Sequence, residues 1–230
     1  MIPKVIHYCW FGRNPLPEDI KKMKETWQKI LPDYEIKEWN ETNFDIHSCR
    51  YVEEAYANKK WAFVSDVVRV WALYKEGGIY LDTDVEVIRS FDVLLDNRLF
   101  LGFEGTQWIG TNVIGAEPNH PIIEEFYKAY LTRNFINTDG SFDQTTNVQE
   151  LTELLMVKYN LLLNGREQQT SFFHIYPTDF FSPYDYIQDR LHNTVNTYSI
   201  HWCSKSWIKE SSFKKRLSIW YHRLFGIKMK

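Results

Sequence analysis

The sequence is poor in several features. Only three of its 230 residues are cysteine, Cys9, Cys49 and Cys203, and they lie far apart. The number is odd and the spacing fits no zinc-ligand pattern, so neither a disulfide framework nor a cysteine zinc site is expected. A reducing compartment is the matching expectation. No apolar run reaches the roughly 18 residues of a membrane-crossing helix. The opening residues 1–7 lack a basic start followed by an apolar stretch, so they read as structure and not as a secretory leader. A predominance of one charge is missing too. Lys and Arg number 27 against 30 Asp and Glu, a net charge of −3. That excludes a generally basic nucleic-acid binder. There is no internal repeat and no Gly/Ser/Pro-rich linker.

Aromatic residues, by contrast, are abundant. They make up 17% of the chain and include nine Trp. A rich core accounts for some of them, because aromatics bury the most area per residue. Stacking on a base or a sugar would account for others. Charge is also unevenly placed. Residues 209–230 hold seven basic side chains against Glu210 alone, so the preceding body is acidic. Within that segment Phe213, Leu217, Trp220, Tyr221 and Leu224 recur at helical spacing. The pattern is a basic amphipathic helix, which either docks on an anionic membrane surface or packs on the domain. Residues 1–208 are read as one domain and 209–230 as a tail.

The apolar periodicity predicts an opening β-α-β unit: a strand over 4–10, a helix over 17–31 and a strand over 34–39. A short helix follows over 48–58 and a stronger one over 61–76, stopped by Gly77-Gly78. Strands are expected over 79–82, 85–88, 99–103, 112–116 and 197–202, and helices over 121–134 and 148–163. The polar stretch 136–147 and the region 171–200 read as loops with short extended pieces. The whole is α/β, a sheet flanked by helices.

The chemistry concentrates around Asp82-Thr83-Asp84. Residues two apart on an extended segment face one side, so these carboxylates can meet one hard cation, Mg²⁺ or Mn²⁺. They follow the apolar segment Ile79-Tyr80-Leu81, and ligands of open α/β sheets gather at the carboxyl ends of strands. The helix before them carries Asp66 and Arg69, three apart and on one face, among Val64, Val67, Val68 and Leu73. Charges on so apolar a helix need partners, either each other or a ligand. His201 either joins a cation site, since imidazole suits Mn²⁺, or is a partly buried structural histidine. His7 lies inside a strand and is read as a core anchor. Asp143, Gln144 and Asn147 belong to a polar loop that either meets a sugar or is solvated turn chemistry.

The string Ser65-Asp66-Val67-Val68-Arg69, with Gly77-Gly78-Ile79-Tyr80-Leu81-Asp82-Thr83-Asp84, resembles the DXD core of glycosyltransferase family 32. The opening Ile2 to Gly12 and the segment Pro32 to Asn40 resemble that family as well, and a looser likeness returns at His201 to Trp207. The resemblance implies a GT-A fold, a Rossmann-like mixed sheet with flanking helices. It implies a retaining transfer from a nucleotide sugar, UDP-linked by preference, with Mn²⁺ or Mg²⁺. It places Trp10 on the donor base and Asp66, Arg69, Tyr80 and Asp82 around ribose and sugar. Asp84 becomes the direct metal ligand, with Asp82 and His201 beside it. Ser206 and Trp207 fall near the metal and diphosphate. The catalytic set is then Asp66, Arg69, Asp82 and Asp84. The implied acceptor is a saccharide or a lipid-linked saccharide in cell-surface polysaccharide synthesis. The expected place is the cytoplasm or the inner face of its membrane. Alternatives are a toxin-like transfer to protein, a glycoside hydrolase using a carboxylate pair, and a non-catalytic nucleotide-sugar-binding module.

Overall fold

A computed structural model describes residues 1–203 of the chain. The tail 209–230, Ser206 and Trp207 lie outside the described residues. The chain opens with strand β1 (Val5–Cys9), helix α1 (Glu18–Ile30) and strand β2 (Glu35–Trp39). Helices α2 (Arg50–Ala57) and α3 (Trp61–Glu76) lead into β3 (Gly78–Leu81) and β4 (Val85–Val87). A hairpin of β5 (Leu99–Glu104) and β6 (Trp108–Ala116) precedes α4 (Pro121–Leu131) and α5 (Asn147–Tyr159). The last stretch holds β7 (Gln168–Gln169), β8 (His174–Tyr176), α6 (Thr178–Phe181), β9 (Tyr184–Asp185), β10 (Arg190–Leu191) and β11 (Ser199–His201).

Seven strands form the main sheet in the order β2-β1-β3-β6-β5-β8-β7. β1 runs parallel to both β2 and β3, while β6 runs antiparallel to β3 and β5, so the sheet is mixed. Because β1 and β3 are parallel, their carboxyl ends reach the same edge, and Trp10 and Asp82 emerge there. β4 leaves the main sheet and pairs antiparallel with β11 in a separate ribbon. One core cluster joins α2, α3, α4 and α5 to the sheet. A second, around Trp27, Phe91 and Phe181, includes α1 and α6.

Helix α3 stops where the glycines predict. Gly77 takes φ +66° and Gly78 φ +102°, a backbone region that side chains disfavour. A Cβ on Gly78 would also sit 2.7 Å from the Val5 carbonyl. His7, fully buried, secures this junction. Its Nε2 donates to the Gly77 carbonyl at 2.7 Å, and its Nδ1 accepts from the Trp39 indole at 3.1 Å. Burial holds the imidazole below the usual histidine value, against the raising effect of the Gly77 bond. A neutral ring with one donor and one acceptor matches both bonds. On the opposite side α1 holds the strand after the Asp-Thr-Asp turn. The buried Trp27 indole donates to the Val85 carbonyl at 2.7 Å, and Thr26 Oγ1 accepts from the Val87 amide at 3.0 Å.

Several boundaries differ from the sequence expectation. α4 ends at Leu131, three residues before the expected end. α5 starts at Asn147 under a capping box made by Thr146 and Gln149, and stops at Tyr159 because Asn160 turns left-handed. β6 begins at Trp108, four residues before the apolar run that suggested it. β7 and β8 lie in segments without a strong strand pattern; β8 is fixed by parallel pairing with distant β5.

Candidate active site

Asp82, Thr83 and Asp84 form the turn between β3 and β4. The turn is anchored at both ends. The Asp82 amide donates to the Asn112 carbonyl at 2.9 Å, and the Asp84 carbonyl accepts from the Trp202 amide at 3.1 Å. The neighbouring strand β6 and the segment after β11 therefore fix the two carboxylates.

Arg69 organises one half of the site. It is only 6% exposed. Its Nη2 lies 3.0 Å from Asp66 Oδ1, and its Nη1 lies 3.2 Å from Asp82 Oδ1. Nη1 also donates to the Thr111 carbonyl at 2.8 Å, and the guanidinium stacks over the Tyr80 ring at 4.5 Å. The Tyr80 hydroxyl donates to Asp82 Oδ1 at 3.0 Å. Asn147 donates to Asp66 Oδ1 at 2.7 Å and accepts from Thr111 Oγ1 at 3.0 Å. Arg69 thus bridges α3, β3 and β6, and Asn147 adds α5. The helical pair anticipated from the i, i+3 spacing exists, and Asp82 completes it as a triad. Burial pushes the Asp66 carboxyl up to about 6, with Arg69 pulling down and Asp82 adding to the rise.

Asp84 and His201 make the other half. His201 Nε2 lies 3.4 Å from Asp84 Oδ1. The register of the ribbon pairs His201 with Val85, the residue after Asp84, which brings imidazole and carboxylate together. Burial alone would lower the His201 pKa, but the Asp84 carboxylate and the Cys203 thiol outweigh it and hold it well above the ordinary value. Asp82, Asp84 and His201 each bring one donor atom within 4.8 Å of the others. Two carboxylate oxygens and an imidazole at that spacing fit a divalent cation such as Mn²⁺.

One family model matches part of the chain. Residues 17–101 fit the family model described as a glycosyltransferase sugar-binding region containing a DXD motif. This stretch is similar to the DXD region of glycosyltransferases. The region carries α1, α3 and the Asp82-Thr83-Asp84 turn. Its curated relatives are glycosyltransferases too. The chain is 32% identical over 130 residues to inositol phosphoceramide mannosyltransferase 3 of Schizosaccharomyces pombe, covering 53% of this chain and 35% of that one. It therefore spans about a third of that relative's length. It is 29% identical over 175 residues to uncharacterized glycosyltransferase L373 of Acanthamoeba polyphaga mimivirus, covering 66% of this chain and 67% of that one. Among solved structures the PaToxG glycosyltransferase superposes with a TM-score of 0.52 at 20% identity, over 67% of this chain and 69% of that one. That likeness is one of fold, and the mixed sheet with its flanking helices is a GT-A fold.

The remaining residues of the expected glycosyltransferase site are distributed as follows. Trp10 is half-buried at the end of β1, and its indole donates to the Asn14 carbonyl at 2.7 Å. Asp143 is ion-paired with Arg133. Four groups beside the DXD turn were not anticipated as site residues: Thr111, Asn112, Glu104 and Cys203. Asn147, grouped with the polar loop, is a partner of Asp66. Glu104 ends β5. Its carboxyl is raised by burial, lowered by His201 and raised further by Asp82 and Asp84. The one local signal was Thr146-Asn147-Val148-Gln149, a capping-box pattern that starts α5 one residue earlier and turns Asn147 inward.

Proposed function

We propose that the chain transfers a glycosyl group from a nucleotide sugar, UDP-linked, to an acceptor hydroxyl with retention of configuration and with a divalent cation. The observation that carries this reading is the convergence of Asp66, Arg69, Asp82, Asp84 and His201 at the carboxyl end of β3, inside the DXD region. Asp84, Asp82 and His201 would hold the cation. When bound, that cation supplies Lewis-acid neutralisation of the leaving diphosphate. Mn²⁺ is favoured over Mg²⁺ because one of the three donors is an imidazole nitrogen.

The protein's own groups do the rest. Arg69 is held by two carboxylates, a carbonyl and a ring, so its charge is fixed in place before the donor arrives. Arg69 and Asn147 both meet Asp66 at Oδ1, which leaves Oδ2 to accept a sugar hydroxyl. Asp66 is ionised above about pH 6, so this acceptor role is available at neutral pH. Trp10, at the end of β1 on the same edge, would stack on the base; such stacking contributes about 1–3 kcal/mol. Ser206 and Trp207 are proposed as donor-binding residues on the resemblance of their sequence segment.

A glycoside hydrolase is disfavoured by spacing. The carboxylate donor atoms lie within 4.8 Å of each other, on one cation's scale. A hydrolase pair sits about 5–9.5 Å apart across the glycosidic bond. For the acceptor, the yeast relative is named for transfer to a phosphoinositol ceramide, which favours a lipid-linked saccharide over a protein. The basic segment 209–230 supports this choice by offering contact with an anionic membrane surface. A cell-surface polysaccharide role at the inner membrane face is the corresponding proposal.

The test is a panel of nucleotide sugars with Mn²⁺, scored for release of nucleoside diphosphate. Release from one donor, abolished by chelation, supports the reading. Cleavage of polymeric glycans without any donor consumption would replace it with hydrolysis.

A further inference from the structure

His201 shows its two ring nitrogens to different partners. Nε2 faces Asp84 Oδ1 at 3.4 Å, and Nδ1 faces Cys203 Sγ at 3.6 Å. Cys203 reaches back because its backbone is left-handed, with φ 51°, a conformation side chains seldom adopt. Glu104 stands at the end of β5. Glu104, His201 and Cys203 each bring one donor atom within 4.8 Å of the others. This trio combines oxygen, nitrogen and sulfur, whereas the DXD trio combines two oxygens and a nitrogen. Sulfur shifts preference from hard cations towards borderline ones, above all Zn²⁺. Three protein ligands with an open fourth position is a familiar zinc arrangement.

We propose that Glu104, His201 and Cys203 form a second divalent-cation site, selective for Zn²⁺-like ions, that competes with the DXD cation for His201. The competition follows from the imidazole. A neutral ring has one lone pair, so it ligates at Nδ1 or at Nε2 but not both. A cation on the thiolate side therefore removes His201 from Asp82 and Asp84. Binding displaces the Sγ proton to solvent and forms the metal–sulfur bond, with no change of oxidation state. The site borrows His201 from the proposed Mn²⁺ set but does not need Asp84.

The test uses the full chain and Co²⁺ as probe, reading the near-ultraviolet thiolate-to-cobalt absorption. The band is expected in the wild type and in Asp84→Asn, and is lost in Cys203→Ser and Cys203→Ala, which both keep Cys9 and Cys49. Glu104→Gln should weaken Co²⁺ binding by roughly 10–100-fold. A wild type without the band, or a band that survives both Cys203 variants with melting curves intact, overturns the site. In a second arm, Mn²⁺ binding is followed by electron paramagnetic resonance. Added Zn²⁺ should weaken it about tenfold or more in the wild type and far less in Cys203→Ser. Equal weakening in both would overturn the competition. A wild type that binds no Mn²⁺ yet shows the cobalt band would count against the proposed DXD cation and leave the thiolate site standing.

Discussion

Asp82 and Asp84 are two residues apart and face different environments. Asp82 has a permanent cation beside it, Arg69 at 3.2 Å, and a phenol donating to it at 3.0 Å. Asp84 faces an imidazole at 3.4 Å, a group that can lose its proton. A carboxylate already matched by a guanidinium gains less from a metal ion than one facing an exchangeable partner. The two aspartates are thus not equal ligands. Asp82 belongs to a prebuilt half, locked through Arg69 to α3 and β6. Asp84 belongs to a half whose imidazole must give up a proton for a cation to bind.

The largest expected effect breaks the Asp84 half. Asp84→Ala should lower Mn²⁺-dependent release of nucleoside diphosphate by roughly a hundredfold or more, measured at saturating donor. A smaller stability loss than for the Arg69 change should accompany it. Arg69→Ala breaks the other half and should act on folding. It leaves the part-buried Asp66 and Asp82 charges without their shared cation, at a cost of up to about 3–5 kcal/mol. Thermal or denaturant unfolding would read this directly. His201→Ala comes next, weakening Mn²⁺ affinity by roughly 10–100-fold while Tm changes little. Unchanged affinity would return His201 to a purely structural role.

The smallest effect concerns Asp66 and its sign is informative. Its carboxyl is raised to about 6 from the ordinary 3.8, so the folded protein holds the proton more tightly than the unfolded chain. Between those values the native state binds more protons, and stability falls as pH rises towards 6. Asp66→Asn mimics the protonated form. At pH 7 it should raise Tm by about 2–4 °C while reducing turnover, and the gain should vanish by about pH 4. A variant that is less stable than the wild type at pH 7 would mean that the Arg69 pairing outweighs the burial cost.

Which of these features could be read from the chain depended on range. α3 was legible to the residue, because an apolar helix ends on Gly77-Gly78 and its charges stand at i, i+3. The β-α-β opening was legible from local periodicity. β7 and β8 were not, since short strands with polar residues form only against a partner, and Phe100 pairs with His174 from far along the chain. The same limit applied to the site. Asp66, Arg69, Asp82 and Asp84 lie within one continuous motif. Asn147 reaches Asp66 across 81 residues, and Thr111 reaches Arg69 across 42, so only folding reveals them. Among the described residues the Trp side chains also divide in a way composition could not show. Trp27 and Trp39 are buried, Trp10 is half-buried at the site's edge, and Trp108 and Trp202 are exposed.

The division between the two aspartates is most directly tested by titrating Mn²⁺ into Asp82→Asn and Asp84→Asn side by side, following bound metal by electron paramagnetic resonance. The account predicts that Asp84→Asn loses affinity by about tenfold or more beyond the loss in Asp82→Asn, whose defect appears instead as a lower Tm. Equal losses, or a larger loss in Asp82→Asn, would contradict it.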